Sequence, residues 1–262
     1  MNEQSVLHSN LSVARAVAGR QLRHAFYNPA LAIPSLVFPV FFLVAFAGGL
    51  QRVGDVPGFA FRSGYTAFQF IFVLLQSSAF SGIFTGFGVA ADWEQGFANR
   101  ILLAAPYRQG MLIGYAFAAA TRWLATIAVV TVGAVLCGMN VNGNPAMIAG
   151  LVGLGLLVNV GATLWGVGIA VRFKSLQAGP MMQVPVFVLL FLAPVYVPLP
   201  LLTGWIHAVA SWNPMTAIID SSRGYIDGNP VNSWVAFACA AGLLALLAIW
   251  AVTGLRRAER GE

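Results

Sequence analysis

The chain has 262 residues, of which 59% are hydrophobic and only 8% charged, and its formal net charge is +6. A soluble domain carries about 25% charged residues, so this chain lacks the polar exterior that water demands, and the solvent for most of its surface is lipid. Its basic residues stand in twos and threes at the ends of apolar runs, which fits membrane orientation and argues against a nucleic-acid face.

Residues 1–27 are expected to form a cytoplasmic amphipathic helix lying at the membrane interface. Leu11, Ala14, Ala18, Leu22 and Ala25 recur at helical spacing, with Ser12, Arg20 and Arg23 opposite. Residues 28–256 then make one transmembrane domain, and residues 257–262 a cytoplasmic tail. Apolar runs near bilayer length predict six transmembrane helices, at 31–50, 65–90, 112–138, 146–171, 181–197 and 234–255. The expected fold is therefore an all-α polytopic membrane protein. An even number of spans puts both termini on one face. Arg15, Arg20, Arg23, Arg100, Arg108 and Arg172 fall on that face, against Arg52, Arg62 and Arg223 opposite, which places it in the cytoplasm.

Between the second and third spans, residues 92–108 have the pattern of a short amphipathic helix on the cytoplasmic surface. Asp92 is placed to cap it, with Gln95 three residues later. Trp93, Phe97, Ile101 and Ala104 share one face, Pro106 ends the helix, and Glu94, Arg100 and Arg108 are left for a partner. Composition leaves two roles open: a helix gripped by a partner, or an interfacial helix that only anchors the loop.

The outer stretch 198–233 is too apolar for a solvated loop and too broken by Pro198, Pro200 and Pro214 to span. Two re-entrant outer helices shielded by protein fit it, because non-helical backbone at membrane depth has to be buried or line a cavity. Asn213 followed by Pro214 has the form of a helix start, with Asn as cap and Pro at the first helical position.

Within the spans, Gln76, Arg122, Asn159 and Gln183 are costly in hydrocarbon unless they face protein, water or cargo. Arg122 sits close enough to the inner boundary to snorkel, so structural pairing is favoured for it over a place in the transport pathway. Gly82 and Gly86 permit close helix approach but need no special role, since Gly is common in membrane helices. Cys137 and Cys239 are expected to be packed hydrophobes. His8, His24 and His207 stand apart from one another and make no metal set. A phosphate-cradling P-loop needs Gly-Lys-Ser or Gly-Lys-Thr, whereas Lys174 and Ser175 follow Phe173. No nucleotide cofactor is expected in this chain.

Two ordered sets of residues carry a family resemblance. On the inner side they are Glu94, Gly96, Leu102, Leu103, Pro106, Arg108 and Gly114. On the outer side they are Pro194, Pro198, Pro200, Trp205, Asn213, Pro214, Thr216, Asp220 and Arg223. With the predicted spans, this order resembles the ABC transporter type 2 permease family and its daunorubicin-resistance-like membrane subunits. Phe97, Asn99 and Tyr115 depart from it, standing where the family often has Thr, an acidic residue and Lys.

The resemblance implies a permease of an ATP-driven exporter in the bacterial cytoplasmic membrane. It would pair with a second permease, identical or related, and with two copies of a separate ATPase that binds ATP and Mg. Asp92, Glu94, Gly96, Arg100, Pro106 and Arg108 would couple it to the ATPase, and Pro194, Trp205, Asn213, Pro214, Thr216 and Arg223 would form an outer gate. No catalytic residue is expected. The few charges in the spans suit an amphipathic cargo such as a drug, a lipid or a lipid-linked glycan. The alternative is an ion-coupled secondary transporter of a hydrophobic small molecule. Its coupling would normally use intramembrane Asp, Glu or His, and the predicted spans contain none.

Overall fold

The computed structural model describes residues 3–27, 29–59, 61–97 and 109–260. These are helical, with no strand among the described residues. The chain runs α1 (Glu3–Tyr27), α2 (Pro29–Gly49), α3 (Gly64–Glu94), α4 (Gln109–Leu136) and α5 (Pro145–Phe173). It continues through α6 (Gly179–Phe191), α7 (Gly204–Trp212), α8 (Pro214–Asp227) and α9 (Ser233–Arg260). By length and composition, four segments can cross a membrane: α3, Gly110–Leu136 of α4, α5, and Ser233–Arg256 of α9. Leu36–Gly49 and Leu176–Phe191 are shorter apolar helical segments. The molecule is a multi-pass membrane protein.

The run predicted at 181–197 stops being helical at Phe191. Pro194 and Pro198 disfavour helix in the residues before them, and the chain tightens at Ala193, whose N–H bonds the Leu190 carbonyl at 3.2 Å. At 13 residues, α6 is about 20 Å long, short of a hydrocarbon core of about 30 Å.

Helix α3 is the axis of the bundle. Its apolar window is 89% buried, and α2, α4, α5, α6 and α8 all pack on it. Small residues make the tightest of these contacts possible. A Cβ on Gly82 would stand 2.5 Å from the Thr163 backbone nitrogen, and one on Gly86 would stand 2.7 Å from Gly166 Cα. These two glycines do have a particular role, contrary to the sequence expectation: they let α3 and α5 touch backbone to backbone, as small-xxx-small pairs do in membranes. Trp123 of α4 is fully buried and donates its indole N–H toward the Leu74 carbonyl (3.3 Å) and Ser77 Oγ (3.2 Å) of α3. Helix α9 packs on α5 and α8, and only 17% of its apolar window is buried, so it forms an outer wall.

Helix α1 packs through part of its predicted face, Ala14 and Ala18, but not through Leu11. Leu11 is 66% exposed, while Ala14, Val17, Ala18 and Gln21 are buried. The small face wins because it permits backbone-level contact with α4: a Cβ on Gly114 would lie 2.6 Å from the Ala14 carbonyl oxygen.

Candidate functional site

Polar contacts gather at the two ends of the bundle. At the end that carries both described termini, α3 runs on through Asp92 to Glu94. Asp92 is therefore in the last turn of a long helix and does not cap a new one, which corrects the sequence reading. The helix leaves its axis at Gly96, where φ is +73°, a backbone region glycine enters without the usual steric penalty. Asp92 is 6% exposed and pairs with Arg20 of α1 at 2.8 Å, and Gln21 donates to the same carboxylate oxygen at 3.3 Å. The Arg20 guanidinium also lies 3.4 Å from the centroid of the Phe97 ring. Cation–π stacking of this kind is an attraction of about 0.5–2 kcal/mol.

Glu94, though exposed, is engaged within the chain. One carboxylate oxygen accepts from Ser175 Oγ and from the Leu176 N–H, both at 2.8 Å. Those residues lie in the link between α5 and α6, beside Lys174, which ends α5 in a left-handed conformation and holds its ammonium 5.0 Å from the Trp93 ring centroid. The final turn of α3 thus ties α1 on one side to the α5–α6 link on the other. Of the proposed coupling residues, Asp92, Glu94 and Gly96 fall in this cluster. Arg100, Pro106 and Arg108 lie outside the described residues. The sequence offered no signal for Arg20, Gln21 and Ser175 as partners, because those pairings join positions about 70 to 80 residues apart.

Of the polar groups in the middle of the bundle, Arg122 and Asn159 bond a neighbouring helix. Arg122 donates to Ser81 Oγ (3.3 Å), to the Ser81 carbonyl and to Thr85 Oγ1 (2.9 Å), all on α3. Asn159 donates to the Ser78 carbonyl at 2.9 Å, and its own carbonyl oxygen has no partner. Gln76 is 1% exposed and neither atom of its amide makes a hydrogen bond. Gln183 is half-buried on α6.

At the opposite end, Arg223 of α8 is 4% exposed. It donates to the carbonyls of Pro194 (2.6 Å) and Val195 (2.9 Å), stands 3.3 Å from the Phe68 ring centroid and lies 3.8 Å from Asp220. A guanidinium tolerates such burial because delocalised charge and a planar fork allow hydrogen bonding and stacking at once. Asp227 accepts from the Ser63 N–H (2.8 Å) and hydroxyl (2.9 Å), and Asn142 donates to the same hydroxyl at 3.0 Å.

The predicted start of α8 is present: the Asn213 side chain accepts from the Met215 N–H at 2.9 Å, with Pro214 in the first turn. Asn213 also reaches α6 through the Leu189 carbonyl, at 2.6 Å. Thr216 is buried and donates to the Ala210 carbonyl at 2.6 Å. Trp205 stands apart from this network at 70% exposure. Arg223 thus ties the non-helical stretch after α6 to α8 and α3, while Asn213 and Thr216 make separate contacts around the start of α8.

No family model matches the chain. It is 25% identical over 220 residues to a protein of Pyropia yezoensis named "Putative transport permease ycf38", covering 82% of this chain and 74% of that protein. A protein of the same name from Porphyra purpurea is 26% identical over 218 residues, covering 82% and 73%. A distant likeness across most of both chains, joined to a bundle of membrane-length helices, supports a transport permease.

Proposed function

We propose that this chain is the permease subunit of an ATP-binding-cassette exporter, with both termini cytoplasmic and re-entrant α7 and α8 at the outer mouth. A separate ATPase, present in two copies, binds ATP and Mg, and a second permease, identical or related, completes the pathway. The cargo is amphipathic: a drug, a lipid or a lipid-linked glycan. The observation that carries this reading is the clasp at the terminus-bearing end, where Arg20–Asp92 and Glu94–Ser175 join α1, the end of the central helix α3 and the α5–α6 link. A push on any of the three is delivered to the axis of the bundle, as a rigid-body mechanism requires. On this reading the push originates in another polypeptide, in keeping with a sequence that has no Gly-Lys-Ser or Gly-Lys-Thr P-loop.

The test is purification from the native membrane in mild detergent. A P-loop ATPase should accompany the chain, and its loss after Asp92→Ala with Glu94→Ala would place the contact at the clasp. A chain that purifies alone and moves solute on a proton gradient would favour the secondary transporter. Orientation is checked separately with Cys137 and Cys239 replaced by Ser. A cysteine at exposed Asn229 should react with an impermeant thiol reagent from outside, and one at exposed Gln177 from the cytoplasm. The reverse pattern would invert the topology.

A further inference from the structure

A cavity of about 290 Å³ lies inside the bundle, walled by α3, α5, α6, α8 and α9. Its lining is apolar, with Ala79, Ala162, Leu190, Ile218 and Leu244 among it, and holds no ionisable side chain. Pro185 on α6 is exposed and Leu247 on α9 is partly so, which gives the cavity an edge on the surrounding lipid.

Hydrogen-bonding capacity is left over beside this apolar space. Gln76 of α3 leaves both atoms of its amide without a partner, Asn159 of α5 its side-chain carbonyl oxygen, and Ser222 of α8 its hydroxyl. All three residues are at most 1% exposed. Each stands near a cavity residue on its own helix: Gln76 three residues before Ala79, Asn159 three before Ala162, and Ser222 four after Ile218. Those spacings share a helix face. The three offsets also run the same way. The starts of α3 and α5 meet the end of α8 at the end opposite the termini, where the Ser63 N–H bonds Asp227 (2.8 Å) and the Asn142 N–H bonds the Ile226 carbonyl (2.9 Å). Each unspent group therefore lies about one turn beyond a cavity wall residue, toward that end.

A buried polar group without a partner is costly, and here three helices gather such groups at one end of one cavity. A charged partner would be buried there without a counter-ion, at heavy cost. An uncharged group that both donates and accepts, such as a hydroxyl, fits the set. The volume is at the lower limit of the range of about 300–1,000 Å³ typical of ligand sites, which suits a single hydrocarbon chain better than a two-chain lipid. We propose that the cavity binds one neutral amphiphile, its hydrocarbon in the apolar space and its hydroxyl head among Gln76, Asn159 and Ser222. This deepens the exporter reading by naming an uncharged class of cargo and rests on that reading for the role, while the binding itself is a property of the chain alone.

The experiment is photolabelling of the full-length chain in lipid nanodiscs with a diazirine-bearing decanol, in competition with decanol, decane and decanoate at equal mole fractions in the bilayer. Labelled peptides, identified by mass spectrometry, should come from the cavity walls around Leu190 and Ile218. Decanol should compete about tenfold better than decane or decanoate, the factor that one good hydrogen bond supplies. Gln76→Leu should keep the label and remove most of decanol's advantage over decane. Leu244→Trp, which fills the cavity from its partly exposed α9 wall, should abolish the label. The proposal is overturned by equal competition from all three compounds, as when the polar side chains hold only water, by an advantage that survives Gln76→Leu, or by unchanged labelling in Leu244→Trp. If Gln76→Leu does not fold, Ser222→Ala reads the same advantage. Equal competition in a chain that still brings down an ATPase removes this site and keeps the exporter reading; a clear decanol preference in a chain that purifies alone does the reverse.

Discussion

Arg223 at the far end and Arg20 at the terminus-bearing end each meet an aromatic ring and an acidic side chain, yet their settings differ. Arg223 is almost wholly buried and gives its guanidinium to two carbonyls of the stretch after α6, which Gln69 and Tyr65 of α3 also bond. The Arg20 side chain is 37% exposed and pairs across two helices with a carboxylate. A buried charge of this kind is expensive to disturb, because its removal strands the carbonyls it satisfied. In the Arg20–Asp92 pair only the guanidinium reaches solvent, so its charge is partly screened, while the Asp92 carboxylate stays buried. One end of the molecule is held by a buried cation, and the other by contacts that are partly open to solvent, which is where the proposed exporter reading needs its joint.

That contrast can be broken by mutation. The largest effect is expected from Arg223→Ala, which removes two charge-assisted hydrogen bonds and so about 3 kcal/mol. It should show as a lower melting temperature and a smaller folded yield in detergent, and tolerance of the change would erase the difference between the ends. Next comes Gly86→Leu, whose side chain has to enter the Gly166 backbone of α5. Overpacking of this kind costs about 1–3 kcal/mol, read from the same melts. Glu94→Gln should alter stability by less than about 1 kcal/mol while reducing ATP-driven export, measured as solute moved per ATP hydrolysed; a large stability loss with intact coupling would reverse the assignment. The smallest effect is expected from Gln76→Leu. Removing an unsatisfied buried amide should leave the melting temperature unchanged or raise it, by up to about 1 kcal/mol, and a marked loss of transport in that stable variant would put Gln76 on the cargo pathway.

The sequence was legible where local chemistry decides the outcome. Long apolar runs became α3, α4, α5 and α9, and Asn213 with Pro214 started α8 as a cap and first-turn proline do. It was misleading where tertiary contact overrode local pattern. Asp92 looks like a helix cap, but the pairing with Arg20 lets a carboxylate continue in the buried last turn of α3. Leu11 shares its predicted face with Ala14 and Ala18, yet it is exposed while those two are buried beside Val17. The bonds from Glu94 to Ser175 and from Arg223 to Pro194 join distant positions, and a single sequence contains no register that brings them together. Gly82 and Gly86 acquire meaning only once Ala162 and Gly166 are seen opposite them.

The central claim is that the motive force enters from outside the chain at the joint formed by Arg20, Asp92, Glu94 and Ser175. It is tested most directly in sealed vesicles holding the purified chain with and without its co-purifying ATPase, using a fluorescent amphiphile as cargo. The account predicts ATP-dependent movement only when both proteins are present, and its loss with Asp92→Asn plus Glu94→Gln although the complex still forms. Movement by the chain alone on a proton gradient, with ATP making no difference, would contradict it.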